Sequence, residues 1–90
     1  MSDLSSKDKA TLRGYAQKLK PSAFVGRKGV NEGLVRELKL AFKTEDLVKV
    51  AFKADRDDIA VMVREIEIAT GSQCVGGVGK RRSFYREQDG

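Results

Sequence analysis

Two glycines enclose two basic residues in the stretch Gly26-Arg27-Lys28-Gly29, between a short apolar run and the start of a helix. Glycine has no Cβ, so the backbone can turn sharply there and another backbone can approach closely. The N–H groups at a helix start favour negative charge, and the two enclosed side chains add positive charge. The pattern predicts contact with a phosphodiester backbone without base reading. A tight strand–helix turn with no ligand is the structural alternative.

Positive charge is concentrated in two segments of this 90-residue chain, whose formal net charge is +5. Residues 9–31 contain six basic residues and residues 68–86 contain four, and neither segment contains an acid. If the fold brings the two segments together, they form one basic face. A scattered, solvated surface with a mild basic excess is the alternative. The candidate contact residues outside the glycine turn are Lys18, Lys20, Lys80, Arg81, Arg82 and Arg86.

Structural explanations also exist for these charges. Lys18 and Lys20 fall at a helix end, where cations suit the helix dipole. The cations from Lys80 to Arg86 could instead protect an edge strand from aggregation.

The residue types argue against an enzyme and against a metalloprotein. The chain has no histidine, which removes the commonest general base and metal ligand. Its single cysteine, Cys74, forms no recognisable zinc site or thiol dyad, and we interpret it as a small buried hydrophobe. No P-loop or dinucleotide motif is present. We therefore expect no catalytic residue, no metal and no cofactor.

The spacing of apolar residues and turn signals predicts seven elements in the order α-β-α-β-α-β-β. Strand–helix–strand units favour parallel pairing, and the tight last connection requires an antiparallel hairpin. We therefore predict one compact two-layer α/β domain over residues 1–90, with a mixed four-stranded sheet and a frayed polar tail at about 87–90. The predicted features are a helix capped by Ser5 or Ser6, a buried strand Ala23–Val25, a helix capped by Asn31, a strand Leu47–Phe52, a helix capped by Asp57 or Asp58, and strands Cys74–Val78 and Ser83–Arg86.

With these elements in this order, the chain resembles the CRM domain (chloroplast RNA splicing and ribosome maturation), especially the small bacterial YhbY-type proteins. The resemblance implies a fold like the C-terminal domain of a bacterial translation initiation factor. It implies RNA binding, with ribosomal RNA in a precursor of the large subunit as the partner and Gly26–Gly29 as a backbone contact. The chain departs from the family at Arg81-Arg82-Ser83, where relatives tend to be apolar. The matching pieces are Leu19-Lys20-Pro21, Val25–Val30 followed by Leu34-Val35, Leu47–Val50, and Val78-Gly79-Lys80 with Tyr85-Arg86.

Together, residues and resemblance predict a monomeric, non-enzymatic RNA-binding protein that acts in ribosome assembly. No apolar run approaches the length of a membrane span, and no secretory signal is visible at the start. A single cysteine fits a reducing compartment, so we expect a cytoplasmic location and no membrane partner. Two alternatives remain: a basic module that binds an acidic protein, and an RNA-binding cofactor in splicing or translation.

Overall fold

Alternating helices and strands form a mixed four-stranded sheet in the computed structural model, which describes residues 4–26 and 28–86. The predicted α/β class, element order and mixed four-stranded sheet are confirmed, whereas helices lie on both faces of the sheet and form three layers, not the predicted two. Arg27 and the predicted tail at about 87–90 lie outside the described residues. The elements are α1 (Ser6–Ala16), β1 (Ala23–Val25), α2 (Glu32–Thr44), β2 (Leu47–Phe52), α3 (Arg56–Thr70), β3 (Gln73–Gly76) and β4 (Arg81–Tyr85).

The last strand of the chain lies inside the sheet, because the strand order is β1-β2-β4-β3. β1 runs parallel to β2, whereas β4 runs antiparallel to both β2 and β3. The edges are therefore β1 and β3. The suggestion that Arg81 and Arg82 protect an edge strand is wrong, because β4 lies between β2 and β3.

The main core lies between the sheet and the layer formed by α2 and α3. Leu38 and Phe42 from α2, Val48 and Val50 from β2, and Ile66 from α3 are each at most 1 % exposed. This arrangement follows from the period-2 apolar pattern of β2, which directs alternate side chains to one face.

α1 lies on the opposite face of the sheet, where it contacts β2, β3 and β4. Lys49 points to this face, because its neighbours Val48 and Val50 point to the main core. The Lys49 Nζ group donates hydrogen bonds to the carbonyl oxygens of Ala16, at 3.2 Å, and Leu19, at 3.3 Å. A cation thus satisfies carbonyls at the C-terminal end of α1, where the helix dipole is negative.

Local sequence signals explain most element boundaries. Ser5 and Asp8 form a reciprocal capping box at α1, and the Asn31 side chain accepts a hydrogen bond from the Leu34 N–H at 2.9 Å. Gly71 ends α3 in the left-handed conformation. The predicted cap of α3 is wrong: the helix begins at Arg56 after Asp55, so Asp57 and Asp58 lie in its first turn, where carboxylates favour the dipole.

The closing hairpin begins and ends earlier than predicted, with strands at Gln73–Gly76 and Arg81–Tyr85. A register shift between Cys74 and Gly76 interrupts its ladder. A Cβ atom on Gly77 would lie 2.0 Å from the Arg81 carbonyl oxygen. The two arms therefore approach too closely at this point for any residue other than glycine.

Candidate nucleic-acid interface

The glycine turn closes immediately after β1. The Gly29 N–H donates a hydrogen bond to the Gly26 carbonyl oxygen at 3.1 Å, which forms a four-residue turn. Gly29 has a φ of 70°, a conformation that favours glycine. Lys28 is exposed in this turn.

Gly26 is different, because neither conformation nor packing requires a glycine there. Its φ is not positive, and a Cβ atom on it would meet no atom of the described residues within 4 Å. An open backbone at this position is what close approach by another chain needs.

The sheet register brings this turn and the start of β4 to the same end of the sheet. The Lys53 N–H donates to the Val25 carbonyl at 2.9 Å, and the Phe52 N–H donates to the Lys80 carbonyl at 2.8 Å. The turn and the stretch Lys80–Arg82 therefore lie on either side of the end of β2. Two strand spacings separate β1 from β4, a distance of roughly 10 Å.

Three predicted site residues lie elsewhere. Lys18 and Lys20 follow α1 and precede β1, whereas the glycine turn lies at the other end of that strand. The Arg86 N–H donates to the Asp46 carbonyl, which places it where β2 begins. The length of β4, roughly 17 Å, separates Arg86 from Lys80.

A groove of about 870 Å³ lies between α1, the sheet and the β3–β4 hairpin. Its floor includes Phe24 of β1 and Ala51 of β2, and its wall includes Gln17 of α1. Among residues 4–26 and 28–86, no acidic residue lines it. Six cationic residues line it: Arg13, Lys49, Lys53, Lys80, Arg81 and Arg82.

Three of these cations are held by backbone carbonyls. Arg13 donates to the Val75 carbonyl at 3.4 Å, Lys49 donates to the end of α1, and Arg82 donates to the carbonyls of Gly79 and Arg81. A carbonyl carries no net charge, so these hydrogen bonds orient the side chains and leave the positive charge in place.

The other three groove cations, Lys53, Lys80 and Arg81, are exposed. Within residues 4–26 and 28–86 their side chains make no hydrogen bond. They are free to contact a ligand without breaking a native interaction.

Sequence reasoning missed part of this groove. Lys49 and Lys53 fall in the acid-rich segment 32–67, so the charge distribution did not reveal them. Phe24 was predicted to be buried with its neighbours, but it is 71 % exposed. Ala23 and Val25 face the core and Phe24 faces the side that α1 leaves open, but three consecutive apolar residues show no alternation that would have marked Phe24 as exposed.

Cys74 is half-buried and packs against the main core. Burial raises the pKa of its thiol, and the nearby Glu67 carboxylate raises it further. The thiol therefore stays protonated near neutral pH, as expected for a packing residue and not for a nucleophile.

The described residues contain no group of three or more His, Cys, Asp or Glu side chains arranged to hold a metal ion. None of the helices in the described part of the chain is long and apolar enough to cross a membrane.

Comparison with known proteins adds independent findings. The family model of the CRS1/YhbY (CRM) domain matches residues 4–86. A Haemophilus influenzae protein named "RNA-binding protein" is 31 % identical over 90 residues, which cover 99 % of this chain and 91 % of that protein. Bacillus subtilis "Probable RNA-binding protein YqeI" is 30 % identical over 88 residues, covering 93 % and 88 % of the two chains.

A solved structure has the same fold. The solution structure of the hypothetical protein SAV1595 from Staphylococcus aureus, a candidate RNA-binding protein, superposes with a TM-score of 0.87. The sequence identity is 27 %, and the superposition covers 98 % of this chain and 93 % of the other.

Proposed function

The chain belongs to the CRS1/YhbY (CRM) domain family, and we propose that it is an RNA-binding protein that grips the phosphate backbone at one end of its sheet. The observation that carries this proposal is a groove lined by six cations and, within the described residues, by no acid, at the same end of the sheet as the glycine turn. A concave surface of a single charge sign concentrates the field and attracts a polyanion.

The contacts follow from the chemistry of the side chains. Lys28, Lys80 and Arg81 are exposed and can reach phosphate oxygens, and an arginine can bind phosphate with two parallel hydrogen bonds. At Gly26 the open backbone allows the sugar–phosphate chain to approach. None of these contacts reads a base edge, so they supply affinity and fix the position of the RNA on the protein.

In more detail, the proposed partner is ribosomal RNA in a precursor of the large subunit. The protein binds this RNA as a non-enzymatic monomer in the cytoplasm. The names of the relatives support RNA as the partner class, and the resemblance to YhbY-type proteins suggests the ribosomal partner. In this proposal Gly26, Arg27, Lys28, Gly29 and Lys80–Arg82 make the primary contact. Lys18, Lys20 and Arg86 contact RNA that extends further along the sheet.

A pair of charge reversals tests the proposed interface. Lys28→Glu with Lys80→Glu changes the net charge by the same amount as Lys7→Glu with Lys43→Glu, and neither Lys7 nor Lys43 lines the groove. All four positions are exposed, so circular dichroism should show an intact fold. The first pair should weaken binding to a structured ribosomal RNA fragment severely, and the control pair should not. Equal binding by both variants would place the interface elsewhere.

The cellular partner requires a separate measurement. Cross-linked RNA from the native cell should be enriched in large-subunit ribosomal RNA, and the protein should sediment with precursor particles in a nuclease-sensitive manner. Association that survives nuclease digestion and retains its salt dependence would instead favour an acidic protein partner.

A further inference from the structure

We propose that the groove binds an unpaired RNA segment and that Phe24 stacks against one of its bases. This inference rests on the proposed function and extends it, because the phosphate contacts above do not distinguish a duplex from a single strand.

Phe24 is the exception among the four phenylalanines of the chain. Phe42, Phe52 and Phe84 are each at most 3 % exposed, whereas Phe24 is 71 % exposed. It lies on the edge strand β1, and α1 packs on the other three strands. The ring therefore sits on an open part of the sheet face that borders the groove.

The sheet register places a small residue and a cation beside this ring. Phe24 pairs with Ala51, and Ala51 pairs with Arg81, so the three residues form one row across the sheet on the α1 face. The Cα atoms at the two ends of the row are roughly 10 Å apart. The short Ala51 side chain leaves the space between the ring and the cation open.

The chemistry of the groove selects an anionic ligand with flat apolar faces. Six cations and no acid of the described part of the chain line the groove, which excludes a basic peptide, and the exposed ring offers a stacking surface that any base can use. Lys53, Lys80 and Arg81 are placed to take the phosphates on either side of that base. Bases inside a duplex stack on neighbours on both faces, so within an RNA strand it is an unpaired segment that presents a free face.

Phe24→Ala and Tyr15→Ala form a matched pair for testing this proposal. Tyr15 is also an exposed aromatic residue, at 66 %, but it does not line the groove. The ligands are a single-stranded oligouridine of about 12 nucleotides and an RNA duplex of the same length, at one salt concentration. Phe24→Ala should weaken oligouridine binding by roughly 5- to 150-fold. It should leave duplex binding unchanged, and Tyr15→Ala should alter neither.

A spectroscopic measurement reports stacking directly. The chain has no tryptophan, so Phe24→Trp introduces a single indole at the site and Tyr15→Trp provides the control. Oligouridine should quench the first and leave the second unchanged.

The outcomes distinguish failure of the stacking inference from failure of the proposed function. If the wild type binds RNA but Phe24→Ala binds oligouridine as tightly, or the Phe24→Trp signal does not change on binding, the stacking inference is overturned and the backbone grip stands. If the wild type binds poly-glutamate and no RNA, the proposed function fails and the inference fails with it.

Discussion

The part of the salt dependence of RNA binding that the groove contributes should fall by about half when the three exposed groove cations are neutralised. The change is Lys53→Ala, Lys80→Ala and Arg81→Ala in one variant. These side chains make no hydrogen bond within the described residues, and surface substitutions of this kind cost little stability. A change in binding can therefore be attributed to lost phosphate contacts.

The magnitude follows from the composition of the groove. Each phosphate contact to a single strand contributes about −0.7 to the slope of log K against log salt concentration. If all six groove cations contact phosphates, the groove contributes about −4 to the slope, which corresponds to a roughly 300-fold loss of affinity between about 50 and 200 mM salt. With three groove contacts left, the groove contributes about −2, or roughly 20-fold over the same change in salt, and contacts at the glycine turn add equally to both slopes.

Fluorescence anisotropy with a labelled single-stranded RNA measures both slopes. The control replaces Lys7, Lys43 and Arg64 with alanine, which removes two lysines and one arginine outside the groove and gives the same net charge. The control should retain most of the wild-type slope. An unchanged slope in the groove variant would refute the reasoning, and so would an equal loss in the control, because net charge alone would then explain binding.

Three further predictions concern the turn and the thiol. Arg27→Glu with Lys28→Glu should weaken RNA binding in the same assay while the circular dichroism spectrum is retained; wild-type affinity would show that the stretch is only a turn. Gly29→Ala should lower the free energy of unfolding by roughly 1–2 kcal/mol, because φ is positive there, whereas Gly26→Ala should change it by less than about 0.5 kcal/mol in urea titrations. The pKa of the Cys74 thiol is raised by burial, so the folded chain holds this proton more tightly than the unfolded chain. The tighter proton binding stabilises the folded chain below the ordinary thiol pKa, and this stabilisation is lost as pH rises through the folded value. The free energy of unfolding of the wild type relative to Cys74→Ala should therefore decrease at alkaline pH. A difference that does not depend on pH would contradict this.

Elements with local signals could be predicted from the sequence. The Ser5 cap, the Asn31 cap and the Gly71 terminus each depend on residues within one helical turn. β2 was predicted with the correct bounds, because its alternation extends over six residues, Leu47–Phe52.

The features that the sequence could not reveal depend on non-local pairing. No local signal indicates that β4 inserts between β2 and β3, because that order is decided by which strands pair across the sheet. Phe24 was assigned to the core because a strand of three residues is too short to show its alternation. Arg13 belongs to the basic segment 9–31, but only the packing of α1 on the sheet places it in the groove.

The insertion of β4 has a direct consequence for the candidate site. If β4 were an edge strand outside β3, Lys80–Arg82 would lie further from β1 and the glycine turn. Because β4 pairs with β2, these residues lie two strand spacings from the turn. The pairing of β4 with β2 thus brings the second basic segment, residues 68–86, close to the first, residues 9–31. The residues of the second segment alone do not indicate this pairing.

The way the groove is held together preserves its charge. Two cations that donate to neutral carbonyl groups connect α1 to the sheet. Lys49 of β2 donates to carbonyls at the end of α1, and Arg13 of α1 donates to the Val75 carbonyl of β3. Carboxylates could have held the same two elements by ion pairs, but each would have cancelled a positive charge at the groove. Carbonyl acceptors stabilise the packing and leave the field intact. Lys49 and Arg13 can therefore hold the groove wall in place and also attract a polyanion.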